Sequence, residues 1–132
     1  MWSAIFVIGD RVMLGLNGKT AFVFGVASED SIAWAICKML AESGVSLYLG
    51  YQKRFRSRIF QLKDKLPQIA GFYPLDVASD ETTKEFYDAF CADNPGKKAD
   101  IMIHAIGFAP RACFDRPILF VEDQDINTAM TI

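Results

Sequence analysis

An α/β fold built on a doubly wound parallel sheet is the class predicted for this chain of 132 residues. Short runs of consecutive apolar residues alternate with segments of helical spacing, which is how βαβ units with strands buried on both faces read. The punctuation agrees, with Gly44, Pro67 and the pair Pro95-Gly96 standing where helices between such strands should stop.

The first strand is predicted at Thr20 to Phe24. A helix follows from about Ser31 to Ser43, with Ile32, Ile36, Met39 and Leu40 as its apolar stripe and Gly44 as its stop. The second strand is Val45 to Gly50, and a basic helix from about Arg54 to Lys65 ends before Pro67. The third strand runs near Ile69 to Leu75. Ser79 is placed to cap a third helix, where Asp80 and Glu81 suit the positive end of the dipole and Phe86, Tyr87 and Phe90 are expected to face inward. Asp100 to Ile106 reads as a fourth buried strand, and Gly107 to Pro117 as a loop into a tail without a clear period. Doubly wound order places the strands 3-2-1-4, leaving the fourth as an open edge that invites aggregation.

With 52% hydrophobic and 23% charged residues the chain has the composition of one globular domain. Fourteen Lys and Arg against sixteen Asp and Glu leave a net charge of -2, which points away from nucleic acid. Cys37, Cys91 and Cys113 are odd in number and far apart, arguing against disulfides, zinc or a redox pair; they are expected as free thiols in a reducing, cytoplasmic setting. No apolar run approaches the roughly 18 to 20 residues of a membrane span. Residues 1–12 contain a short apolar stretch with no basic residue before it, so they fail as a signal peptide and are expected to be a poorly packed extension to a domain at 13–132.

In open α/β sheets ligands lie beyond the carboxyl ends of the strands, so the four turns there are the candidate site. In Gly25-Val-Ala-Ser-Glu-Asp-Ser31, Gly25 permits a positive φ, Ala27 keeps bulk away, and Ser31 sets a hydroxyl beside the free amides of a helix start, which suits a pyrophosphate. The loop lacks the G-x-G-x-x-G pattern, and Glu29 with Asp30 would repel a phosphate unless both face solvent, so a plain strand-to-helix turn is the other reading. After the second strand come Gln52, Lys53 and Arg54, with Arg56 and Arg58 beyond. A carboxylate there would hold a ribose 2′-hydroxyl and a cation a 2′-phosphate; with Gln52 able to serve the first and Lys53 and Arg54 the second, the cofactor choice stays open, as does a solvated basic helix face for Arg56 and Arg58. Asp76 can accept from an adenine amino group or cap the following helix. In the fourth turn Gly107 allows close approach of a ligand and Phe108 offers an apolar wall, while His104, the only histidine, reads more readily as a core residue than as a catalyst.

Gly25-Val-Ala-Ser-Glu-Asp-Ser-Ile-Ala33, Tyr51-Gln52, Leu75-Asp-Val77 and His104-Ala-Ile-Gly-Phe-Ala-Pro110, taken together, resemble the enoyl-acyl-carrier-protein reductases of bacterial fatty-acid synthesis, members of the short-chain dehydrogenase/reductase superfamily. The resemblance covers about Leu14 to Ile132 and implies a Rossmann-like sheet cut off after its fourth strand, with NADH or NADPH as cofactor and an enoyl thioester on acyl carrier protein as substrate. It assigns dinucleotide contacts to Gly25, Ser31, Ile32, Gln52, Asp76, Val77, Ala105, Ile106 and Gly107, and a wall of the acyl pocket to Phe108 and Ala109. Ala105 stands where the family usually has serine, which removes a hydroxyl but spares backbone contacts, and Ala35 replaces a common helix glycine.

Full-length members form tetramers and carry a catalytic tyrosine and lysine seven residues apart in a later part of the chain. Here the residues seven beyond Tyr48, Tyr51, Tyr73 and Tyr87 are Phe55, Arg58, Asp80 and Asn94, so no catalytic or metal-binding residue is assigned and the chain is expected to be inactive alone. Another short-chain reductase, or a remnant that folds without binding nucleotide, are the alternatives. A receiver-like domain is disfavoured because the first turn lacks an acidic pair of the receiver kind.

Overall fold

The computed structural model describes residues 15–131; the expectations for residues 1–12 lie outside them. Four parallel strands, β1 (Thr20–Phe24), β2 (Ser46–Tyr51), β3 (Ile69–Pro74) and β4 (Ile101–His104), form one sheet in the order β3-β2-β1-β4, as predicted. Helix α1 (Ile32–Glu42) follows β1, α2 (Arg56–Gln61) follows β2, α3 (Asp80–Asp93) follows β3, and α4 (Ala112–Asp115) and α5 (Asp123–Met130) follow β4.

Alternation along the strands sorts the core into two layers. Ala21, Val23, Leu47 and Leu49 face α1 and α2, where Ala33, Trp34, Cys37, Leu40, Ala41 and Ile59 meet them. Phe22, Phe24 and Tyr48 face the other way, onto Phe86 and Phe90 of α3. That second layer is aromatic: Phe90 meets Phe22 at 4.7 Å and Tyr48 at 4.9 Å, both edge to face. Each such pair adds about 0.5–1.5 kcal/mol beyond burial. The buried Tyr48 hydroxyl is satisfied, donating to Asn94 Oδ1 at 2.6 Å and accepting from Lys97 Nζ at 3.1 Å.

Several expectations are corrected. The inward stripe of α1 is Ala33, Cys37, Leu40 and Ala41 with Trp34, whereas Ile32 and Met39 are exposed. Small residues at 33, 37 and 41, one turn apart, bring the helix backbone close to the sheet, and that rotates Ile32 outward. Ala35 is exposed. Tyr87 is exposed as well, because the i, i+4 pair Phe86 and Phe90 sets the buried face of α3 and Tyr87 lies about 100° round from Phe86. The basic helix is not continuous: 3₁₀ turns at Lys53–Phe55 and Lys63–Lys65 flank α2, with only Ile59 and Leu62 buried to hold the segment.

The fourth strand is shorter than predicted and covered on one face. Ile101 and Ile103 pack against the α1 layer, but Met102 is 65% exposed. His104 is exposed too and makes no side-chain hydrogen bond among the described residues, so it is not a core histidine. Met102 and His104 pair in register with Phe22 and Phe24, on the α3 side, and α3 reaches only as far as β1. At the start of β4, Asp100 accepts from the Thr20 amide at 2.9 Å and from Lys19 at 3.2 Å, which holds its carboxyl below the usual range.

Candidate functional site

Because all four strands are parallel, their carboxyl ends open on one side of the sheet, and a crevice of about 430 Å³ lies there. That size suits a small ligand or part of a larger one. Gly25 ends β1 with φ +106°, and a Cβ built on it would lie 2.1 Å from the Ala105 carbonyl oxygen. The turns after β1 and β4 therefore touch, and only glycine lets them. The Ala105 amide donates to Phe24 at 3.0 Å, extending the ladder one residue before Ile106 leaves the sheet. A Cβ at Gly107 would meet nothing within 4 Å, so the lack of a side chain there serves no packing need among the described residues and leaves one crevice wall as bare backbone.

On the opposite side lie Gln52, half-buried after β2, and Asp76 and Val77 after β3. The Asp76 amide donates to Thr82 Oγ1 at 3.0 Å and its Oδ1 accepts from the Ala78 amide at 3.1 Å. Ser79, not Asp76, caps α3, accepting from the Thr82 amide at 3.3 Å. The turn thus holds the Asp76 carboxylate, and neither its Oδ2 nor the Gln52 side chain has a hydrogen-bond partner among the described residues.

Eight of the eleven residues to which the resemblance assigns contacts line this crevice, Gly25, Gln52, Asp76, Val77, Ala105, Ile106, Gly107 and Phe108, together with Ala27 and Arg54. Ser31, Ile32 and Ala109 do not. The Ser31 hydroxyl is spent on the turn, donating to the Ser28 carbonyl at 2.7 Å and accepting from the Trp34 amide at 3.3 Å, and the Ser31 amide donates to the same Ser28 carbonyl. The amides of Ile32 and Ala33 are the ones with no acceptor among the described residues, as the first turn of a helix requires. Glu29 forms an ion pair with Lys65 and Asp30 is exposed, and neither lines the crevice.

Phe55 and Ala78 line the crevice from outside the four turns singled out in the sequence, and Tyr51 and Leu75 line it from within them, without a role assigned there. Tyr51 closes β2 and Leu75 follows β3. Phe55 reaches the crevice because the chain leaves β2 through a 3₁₀ turn rather than a helix, which no spacing announced. Among the described residues no helix is long and apolar enough to cross a membrane, and no group of three His, Cys, Asp or Glu side chains is placed to hold a metal.

A family model described as Enoyl-(Acyl carrier protein) reductase matches residues 25–132. The enoyl-acyl-carrier-protein reductase (NADH) of a Nostoc species is 36% identical over 75% of this chain and 39% of its own length. The NADPH enzyme of Staphylococcus aureus is 34% identical over 74% of this chain and 38% of its own. The crystal structure of the Aquifex aeolicus enoyl-acyl-carrier-protein reductase (NADH) superposes with a TM-score of 0.78 at 30% identity, over 89% of this chain and 49% of that one. The chain spans less than half the length of each of these relatives.

Proposed function

The chain belongs to the enoyl-acyl-carrier-protein reductase family, and from that premise we propose that it holds the adenosine and pyrophosphate portion of NADH or NADPH at the carboxyl ends of its strands, as part of the reduction of an enoyl thioester on acyl carrier protein. One observation carries the proposal: turns from four strands, distant in sequence, bring Gly25, Gln52, Asp76 and Gly107 to one crevice.

The residues fit the group by their chemistry. Asp76 Oδ2 offers an acceptor to an adenine amino group, and Gln52 a donor and an acceptor to a ribose. The unpartnered amides of Ile32 and Ala33 at the start of α1, next to the crevice-lining turn after β1 though not themselves among its lining, suit a diphosphate. The bare backbone of Gly107 lets a ligand approach closely beside Ile106, and Phe108 with Ala109 is assigned the border of the acyl pocket. When bound, the dinucleotide supplies the hydride. These residues bind and orient it; no side chain here is assigned the protonation or enolate-stabilising role, so turnover is not proposed for the 132 residues by themselves. The reading places the protein in the cytoplasm, with residues 13–132 as the nucleotide-binding part of a single domain.

Titration calorimetry of the chain with NADH and NADPH tests the reading. Saturable heat with at least one is expected; no heat with either at about millimolar cofactor, a free energy near 4 kcal/mol, overturns it. Reduction of a crotonyl thioester by the chain alone would overturn the assignment of a purely binding role.

A further inference from the structure

The segment around α2 carries charge that the nucleotide reading does not use. Six of the fourteen Lys and Arg lie between Gln52 and Gln68, against one acid, Asp64. Lys53 and Arg54 line hollows at the strand ends, and Lys65 pairs with Glu29. Arg56, Arg58 and Lys63 are exposed and make no ion pair among the described residues. A chain with a net charge of -2 thus gathers unneutralised positive charge on one outer face.

An exposed aromatic ring stands among these cations. Phe60 is 41% exposed, yet two neighbours hold it: it stacks on Phe72 of β3, with centroids 5.2 Å apart and planes at 27°, and meets Tyr51 edge to face at 5.9 Å. The Arg56 guanidinium lies 5.4 Å over the same ring, from one helical turn away. A cation held against a ring keeps its charge while losing rotamer freedom, so less ordering is needed when an anion arrives. Because α2 runs back from the end of β2 toward the start of β3, Arg56 flanks Phe60 toward the carboxyl ends of the strands and Lys63 flanks it toward their amino ends.

Phe72 joins this platform to open backbone. β3 is an edge strand, and the Leu75 amide just past it donates inward, to the Tyr51 carbonyl at 2.8 Å. Backbone groups alternate in direction along a strand, so Phe72 and Pro74 turn theirs away from β2. Pro74 has no amide to offer, which suits an edge. Phe72 keeps a donor and an acceptor facing outward, with no partner strand among the described residues. We propose that the β3 edge and the α2 platform form a docking site for an extended acidic segment of a partner polypeptide. The segment adds a strand beside β3 through the Phe72 backbone and lays one apolar side chain on Phe60 and Phe72. Carboxylates two residues to either side, on the same face of the added strand, reach Arg56 and Lys63. None of these four residues lines the nucleotide crevice, so the inference does not rest on that reading.

The 132-residue chain is titrated with a fluorescein-labelled peptide, Thr-Glu-Thr-Phe-Thr-Glu-Thr, whose Phe and Glu share one face of a strand. The same peptide with Lys for Glu and a short labelled oligothymidylate are the competing probes. Fluorescence anisotropy should show saturable binding of the acidic peptide, about tenfold or more tighter than its basic counterpart. Arg56→Gln and Lys63→Gln replace exposed side chains, so both should fold normally and each weaken the acidic peptide about three- to tenfold. Hydrogen exchange supplies a readout that diffuse attraction would not move. The outward Phe72 amide should exchange rapidly in the free chain and about tenfold more slowly at saturation, while the inward Tyr73 amide stays slow in both. No binding of the acidic peptide at about millimolar concentration overturns the inference. Equal binding of the two peptides, or binding that leaves Phe72 exchange unchanged, overturns the placed site. Tighter binding of the oligothymidylate than of the acidic peptide overturns a polypeptide as the partner.

Discussion

Phe90 on α3 and Phe120 beyond β4 are the same residue type in opposite surroundings, 0% and 69% exposed. Around Phe90 the β1–β2 side of the sheet is closed, with α1 and α2 over one face and an aromatic layer under α3 over the other. Past β4, Phe114, Ile118, Leu119, Phe120 and Met130 are each 69 to 88% exposed, and Met102 on the strand itself has nothing above it among the described residues. Both regions carry large apolar side chains. Burial depends on whether a second layer faces the side chain, and across the described residues only one end of the sheet has layers on both faces. An exposed apolar surface of that kind is where association between molecules starts.

The largest expected effect comes from truncating one phenylalanine in each region. Phe90→Ala should cost about 3–5 kcal/mol, because the ring fills a closed aromatic layer. Phe120→Ala should move stability by no more than about 0.5 kcal/mol, as an exposed substitution does. Urea unfolding of both variants checks this, and equal losses would break the contrast.

Two glycines sharpen it at the crevice between the regions. Gly25→Ala forces a Cβ into the Ala105 carbonyl at positive φ and should lose about 1–3 kcal/mol of stability together with dinucleotide binding. Gly107→Ala meets no atom and should fold as before, yet bind dinucleotide about tenfold more weakly, a difference of 1.4 kcal/mol. Unchanged affinity in Gly107→Ala would remove that backbone from the proposed site.

The smallest effect is read from thiols, with no change in stability. Burial pushes the Cys37 thiol up to about 12, so at pH 8 its reactive thiolate is almost absent, while Cys113 past β4 is half-buried. Cys113 should react with a disulfide reagent well before Cys37 in the folded chain, and urea should bring Cys37 up to the same rate. Equal rates without urea would mean that the α1 layer opens readily.

The strand positions, the 3-2-1-4 order, the Ser79 cap and the crevice at the strand ends were legible in the chain, because apolar runs, capping residues and glycine stops are local signals. Eight of the eleven candidate residues also came together at one place, since each lies in a turn just past a strand and the carboxyl ends of parallel strands share one side of the sheet. The misplacements have a common source. Which way Ile32, Met39 and Tyr87 point, whether His104 is covered, and how the chain leaves β2 depend on what stands opposite. Periodicity gives a helix its apolar face to within a residue or so; the rotation that finally buries Ala33, Cys37 and Ala41 is chosen by the fit of two surfaces, and the chain order of residues does not contain that fit.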